Sequence, residues 1–276
     1  MNRRKTRSTV VGLIAIAVSV VVFLVPFAFI VLQAVKTPKE AGLRSLSWPT
    51  TWQAWDNLQE VFTRADGQMT RAFVNSFVLT AVSVPLMVLF AAMVGYLQQR
   101  RPGPLARVMN FFVLAGLIVP PAVVPTIWVL QRLHLFKTLP GLILIEATYG
   151  LSFCILLFRA FVGTIPKELD EAAMIDGAGP VRLFFRVILP LLRPVIATVV
   201  VVQSVAVFND FANPLYFFPG SGNETVQATL FAFQNMTLNE YNLLFMDILL
   251  ITIPPLLLFV FFNRQVVEGM TSGSLK

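Results

Sequence analysis

"KELDEAAMIDGAGPVRLFFRVILPLLRP", residues 167–194, interrupts a chain that is otherwise strongly apolar. It carries Glu168, Asp170, Glu171 and Asp176, then Arg182, Arg186 and Arg193, with Gly177, Gly179, Pro180 and Pro190 as punctuation. The pattern predicts two short helices. Pro166 takes the first helical position, where its missing N–H has no partner to lose. Three acids crowd the first turn and complement the helix dipole, and Gly177 ends the helix. Leu169, Ala172 and Ala173 recur at helical spacing and form a narrow face of small side chains, against which another protein can come close to the helix axis. The second segment, 181–189, is amphipathic and lies along a membrane surface until Pro190 redirects the chain.

The chain around this loop has the composition of an integral membrane protein. Of its 276 residues, 57% are hydrophobic and 13% charged, and the mean hydropathy is +0.76. Soluble domains sit nearer half apolar and a quarter charged. Windows 10–35, 72–99 and 108–131 contain no Asp, Glu, Lys or Arg. Windows 138–158, 194–223 and 241–263 contain one acid each: Glu146, Asp210 and Asp247. Each is about as long as a helix needs to cross a bilayer, roughly 20 residues, and too long for a strand of an outer-membrane barrel. The fold class expected is therefore all-α and integral to the membrane, with six transmembrane helices. Arg3, Arg4, Lys5 and Arg7 precede the first window, which is longer than the apolar region of a signal peptide and reads as an uncleaved anchor.

Six spans put both termini on one side. With the termini inside, fourteen basic residues face the cytoplasm and seven face out, which agrees with the positive-inside rule. The net charge of +7 is thereby explained without nucleic acid as a partner. One cysteine, Cys154, excludes an intramolecular disulfide framework, and the single His134 excludes a histidine-rich metal centre. Trp48, Trp52 and Trp55, beside Pro49, read as a segment at the membrane–water boundary, with a docking surface for an external partner as the alternative.

Within the spans, Asp210 lies about two-thirds of the way across the fifth, with Gln203, Asn209 and Asn213 nearby. Gln203 and Asp210 are seven residues apart and share a helical face. Their paired donors and acceptors suit sugar hydroxyls, while hydrogen bonding between helices is the alternative. Glu146 and Asp247 sit nearer span ends and read as boundary residues. Pro85, Pro120, Pro121, Pro125, Pro254 and Pro255 suggest kinked helices.

The segment "EAAMIDGAGPVRLFFRVILPLLRP" resembles the EAA loop of permease subunits of bacterial binding-protein-dependent ABC importers, with E-A-A, D-G-A and I-x-L-P-L-x-x-P all in place. "FNDFANPL" (208–215), "RQVVEGMTSGSLK" (264–276) and "VNSF" (74–77) resemble carbohydrate-type permeases, in particular the G-type component of the maltose transporter. The tail departs from the usual L-T-A-G with Met270, Thr271, Ser272 and Gly273. The resemblance runs from about residue 70 to the end. It implies three parts: an anchor with an outer loop (1–70), an importer membrane domain of five helices (71–263) holding the EAA loop (164–194), and a cytoplasmic tail (264–276).

The resemblance further implies that the EAA helix, between spans four and five, docks on a cytoplasmic ATPase. Glu171 and Asp176 would make polar contacts, Ala172 and Ala173 would allow close approach, Gly177 would shape the bend, and Leu189 and Pro190 would close the loop. The implied partners are the lipid bilayer, a second and different permease, two ATPase subunits or domains, and an extracytoplasmic solute-binding protein, at the bacterial cytoplasmic membrane. No G-x-x-x-x-G-K-[ST] phosphate cradle occurs in the chain, so no cofactor is expected in it; ATP and Mg belong to the ATPase. The function expected is import of a di- or oligosaccharide. The alternatives are an ABC permease for glycerol phosphate, an amino acid or a peptide, and a membrane enzyme or stand-alone channel outside the ABC class. The spans contain no basic residue, which favours an uncharged solute.

Overall fold

In hydrocarbon, backbone N–H and C=O groups must bond within their own segment, and a helix achieves this. Every regular element among residues 2–236 and 240–271, which the computed structural model describes, is helical. In chain order the helices are α1 (Asn2–Ala34), α2 (Pro38–Gly42), α3 (Ala54–Arg100), α4 (Pro104–Ile118), α5 (Val123–Arg132) and α6 (Leu139–Val162). They continue with α7 (Glu168–Ile175), α8 (Pro180–Leu183), a π-helical turn (Phe184–Ile188) and α9 (Leu189–Leu191). The last are α10 (Arg193–Phe208), α11 (Ala212–Phe217), α12 (Val226–Met236) and α13 (Tyr241–Thr271).

Four helices are long and apolar enough to cross a membrane, and up to six spans result if each of two bent pairs counts as one. The window 108–131 is not one helix. It divides into α4 and α5, bent by 118°, because Pro120 and Pro121 supply no N–H and force Val119 into an extended conformation (ψ 123°). The window 194–223 is likewise not one helix, since α10 ends at Phe208 and α11 starts afresh at Ala212. The run Pro180–Leu191 meets α10 at 74°. The tail continues as helix to Thr271, while residues 272–276 lie outside the described residues.

The chain divides into two compact units. The first combines Met1–Thr70 with Thr229–Ile253 and buries several polar side chains. Lys36 is fully buried, and its Nζ donates to the Ser45 carbonyl (2.7 Å) and to Ser47 Oγ (3.2 Å). The Gln33 amide donates to the same Ser45 carbonyl. Asn57 donates to the carbonyls of Ala34 and Lys36 and accepts from Asn242, so three chain segments meet on one side chain. Thr37 and Glu40 form a capping box at α2. Hydrogen bonds from Thr50, and then those from Thr37, hold the Glu40 carboxyl at a pKa of about 2. Asp247, read as a boundary residue, is fully buried and accepts from Thr229 Oγ1 at 3.0 and 3.2 Å. Trp48, Trp52 and Trp55 all stand exposed.

The second unit combines Arg71–Ala228 with Pro254–Lys276. Its centre is α6, which packs on α4, α10 and α11. Its core includes Met87 and Ala91 of α3, Leu142, Ile155 and Phe158 of α6, and Val195 and Val199 of α10. α3 reaches α6 through Gly95. A Cβ there would stand 2.8 Å from the Arg159 amide nitrogen and 2.9 Å from Phe158 Cβ, so only hydrogen fits. Small residues serve membrane interfaces in this way, because close backbone approach supplies the van der Waals contact that hydrocarbon solvent does not. Gly95→Ala is expected to destabilise by about 1–3 kcal/mol. The readout is the melting temperature of the detergent-purified chain, with Gly12→Ala, whose Cβ meets nothing within 4 Å, as the unchanged control.

Candidate functional site

The charged loop folds largely as its punctuation indicates, with one shift at the start. α7 begins at Glu168, and Lys167 rather than a side-chain cap closes its first turn. Pro166 therefore precedes the helix instead of opening it. At the far end Gly177 adopts φ +79°, a conformation in which a Cβ is strained. The Ala178 N–H then bonds the Ala173 carbonyl (2.9 Å), and the Gly177 N–H bonds the Met174 carbonyl (3.0 Å). These two bonds define a Schellman stop.

One face of α7 is turned inward. Asp170 and Ala173 are buried, while Glu171, Ala172, Asp176 and Gly177 are exposed. Ala173 is thus spent on packing within the chain and is not free for a partner, contrary to the small-residue face read from the sequence. Ile175 is 86% exposed, which gives the outward face an apolar edge. Neither Glu171 nor Asp176 enters an ion pair among the described residues.

What seats α7 is a buried cluster that sequence reasoning missed. Asp170 Oδ2 lies 3.0 Å from Arg100 Nη2, and Tyr96 Oη donates to Asp170 Oδ1 at 2.6 Å. Arg100 also donates to the carbonyls of Ile165 (2.9 Å) and Pro166 (3.3 Å). The end of α3 thereby grips both α7 and the strand of chain leading into it. By position alone Asp170 groups with Glu168 and Glu171 as a helix-start acid. The available signal was its three-residue spacing from Ala173, which places both on one face.

After α8 the helix widens into the π-helical turn, closed by Leu189 N–H to the Phe184 carbonyl. Pro190 explains it. A proline has no N–H for the carbonyl of Arg186 and its ring collides with that carbonyl, and adding a residue to the turn relieves both. Leu189 is half-buried and Pro190 exposed. α7 contacts this turn directly.

The second candidate group does not form one face. Gln203 is buried within α10, where α10 and α6 approach at Gly150. Asn209 caps α10, and Asp210 lies beyond the helix, so the seven-residue spacing carries no shared face. Asp210 instead accepts from the N–H groups of Ala212 (2.9 Å) and Asn213 (3.4 Å), starting α11. The Asn213 amide donates to Glu146 Oε1 (3.2 Å), and Gln227 donates to Asn209 Oδ1 (3.0 Å). Glu146, read as a boundary residue, is buried at this break beside the Asp210 carboxyl. A hollow of about 700 Å³ opens where α4 and α5 bend, bounded by Thr148, Tyr149 and Ser152 of α6. Tyr149 Oη has no hydrogen-bond partner among the described residues.

Removing one member of a buried ion pair typically costs about 3–5 kcal/mol. Asp170→Ala is therefore expected to lower the melting temperature of the purified chain strongly. Glu168→Ala, two residues earlier but exposed, is expected to leave it unchanged. Equal melting temperatures for both variants would contradict the seating role of Asp170.

The family described as "Binding-protein-dependent transport system inner membrane component" matches residues 61–272. The diacetylchitobiose uptake system permease protein NgcG of Streptomyces coelicolor is 29% identical over 93% of this chain and 85% of that protein. The melibiose/raffinose/stachyose import permease protein MelC of Bacillus subtilis is 27% identical over 81% of each. A chain of a bacterial ABC transporter involved in import of the acidic polysaccharide alginate superposes with a TM-score of 0.81 at 18% identity, over 96% of this chain and 98% of that one. A chain whose described regular elements are all helical, with several apolar spans, and which the family model matches over most of its length, belongs to the inner membrane components of binding-protein-dependent transport systems.

Proposed function

We propose that this chain is one of two different permease subunits of an importer that carries a di- or oligosaccharide across the bacterial cytoplasmic membrane. The observation that carries the coupling half of this reading is the outward face of α7: Glu171, Ala172 and Asp176 are exposed on a helix seated from behind by Asp170 and Arg100. The sugar half rests on the relatives, whose names specify diacetylchitobiose and melibiose, raffinose or stachyose. Each bent pair counts as one span in this reading, giving six, with both termini and the EAA loop 164–194 cytoplasmic.

A cytoplasmic ATPase pair binds ATP and Mg and closes on hydrolysis-linked cycles; this chain supplies no phosphate site. Glu171 and Asp176 meet the ATPase surface, Ala172 permits close approach, and Gly177 holds the exit angle. Motion of the ATPase then moves α7, and the Arg100 cluster carries it into α3. A solute-binding protein delivers sugar from outside. Asn209, Asp210 and Asn213, at the break between α10 and α11, line the solute pathway with Glu146, whereas Gln203 stabilises the α6–α10 contact. Neutral and acidic hydrogen-bonding groups of this kind suit hydroxyl-rich, uncharged solutes.

Cells carrying Glu171→Ala with Gly177→Asp are expected to lose uptake of labelled oligosaccharide at least tenfold. The ATPase should no longer co-purify, while the amount of this chain in the membrane stays unchanged. Normal uptake with the ATPase still bound would refute the coupling role of α7.

A further inference from the structure

We propose that the chain holds an anionic phospholipid at the inner leaflet, between the end of α3 and the segment that follows α7. This rests on the reading that the EAA end of the chain faces the cytoplasm. A cavity of about 240 Å³ opens there, and its walls are Met93 and Leu97 of α3, Met174 of α7, and Val181 and Phe185 beyond it. Its lining is apolar apart from Tyr96 and Arg101. Val181 and Phe185 also border a second hollow, whose other walls are Arg182 and Arg186. An apolar slot thus runs directly into a basic hollow, with Arg101 on the rim of the slot.

The three arginines are exposed, and none takes part in an ion pair among the described residues. Arg101 follows the last residue of an apolar span, at the depth where lipid headgroups lie. The layout matches an amphiphile with an anionic head: acyl chain against Met93, Leu97 and Met174, phosphate against Arg182 and Arg186. Basic pockets beside membrane helices on the cytoplasmic side attract anionic headgroups, each nearby basic residue adding to the affinity. A zwitterionic lipid would fill the slot equally well but would gain little from the arginines. An ATPase surface is the competing occupant. It would have to bury Val181, which is 72% exposed, together with three cations.

The test uses the transporter complex in nanodiscs and a phosphatidylglycerol bearing a photoreactive diazirine on its acyl chain. Labelling is expected on peptides containing Met174 or Phe185, and competition is expected from unlabelled phosphatidylglycerol but not from phosphatidylcholine. Arg182→Gln or Arg186→Gln should each reduce labelling about fivefold, and the pair further, with ATPase co-purification unchanged. Equal competition by phosphatidylcholine would overturn the proposal, leaving bulk lipid in the slot. Labelling that occurs only when the ATPase is stripped away would also overturn it, assigning the surface to the ATPase. Loss of ATPase association in the Glu171→Ala, Gly177→Asp chain bears on the coupling role alone, so the two readings fail separately.

Discussion

A backbone amide left unpaired in hydrocarbon costs several kcal/mol, and three breaks in the helices of this chain answer to that cost. At the α4–α5 bend the chain runs through Pro120 and Pro121, which have no N–H to leave unpaired. At Pro190 the helix adds a residue to its turn, so that the Leu189 N–H reaches back to Phe184. At the break after Phe208 the donors do exist, and the Asp210 carboxylate accepts the two that open α11. The polar residues of "FNDFANPL" are therefore the means by which a helix stops at depth. Irregular backbone at depth is tolerated only where it is buried in protein or lines a cavity, and the solute pathway proposed at this break is such a setting.

The same cost shapes the loop. α7 has eight residues, too few to be stable alone, since a short helix does not recover its nucleation cost. Its rigidity is borrowed: from Asp170 on Arg100 and Tyr96, from Ala173 in the core, and from the two hydrogen bonds that Gly177 permits. A helix held in this way is suited to carry load. Force applied to its outer face reaches α3 through a charged contact and the π-helical turn through direct packing.

Much of this was legible from residue order. Charges delimit the spans, so windows 10–35, 72–99, 138–158 and 241–263 fall on α1, α3, α6 and α13. Gly177 announces its own stop. What residue order hides is pairing across space. Tyr96 and Asp170 are 74 residues apart, and nothing in one chain's sequence ties them together. Glu146 and Asp247 look like span-end residues because position in a window is all the sequence offers, whereas their burial depends on Asn213 and Thr229 from other helices. The break at 209–211 is hidden for another reason. An apolar window runs smoothly across it, although Asn-Asp and Asn-Pro are turn signals.

A charged seat for α7 also calls for an account, because a buried ion pair often stabilises no better than apolar residues of equal size. What it adds is register. An apolar face on a short helix has similar contacts one turn forward or back, so α7 would slide under load. Asp170 has one acceptable position, opposite Arg100 and Tyr96. Arg100 is itself fixed by donating to the carbonyls of Ile165 and Pro166, the residues that lead the chain toward α7. One guanidinium thus sets both where the helix begins and which face it turns outward. In the coupling role proposed for α7, a helix that returns to the same position in every cycle gains more from that single register than from additional binding energy.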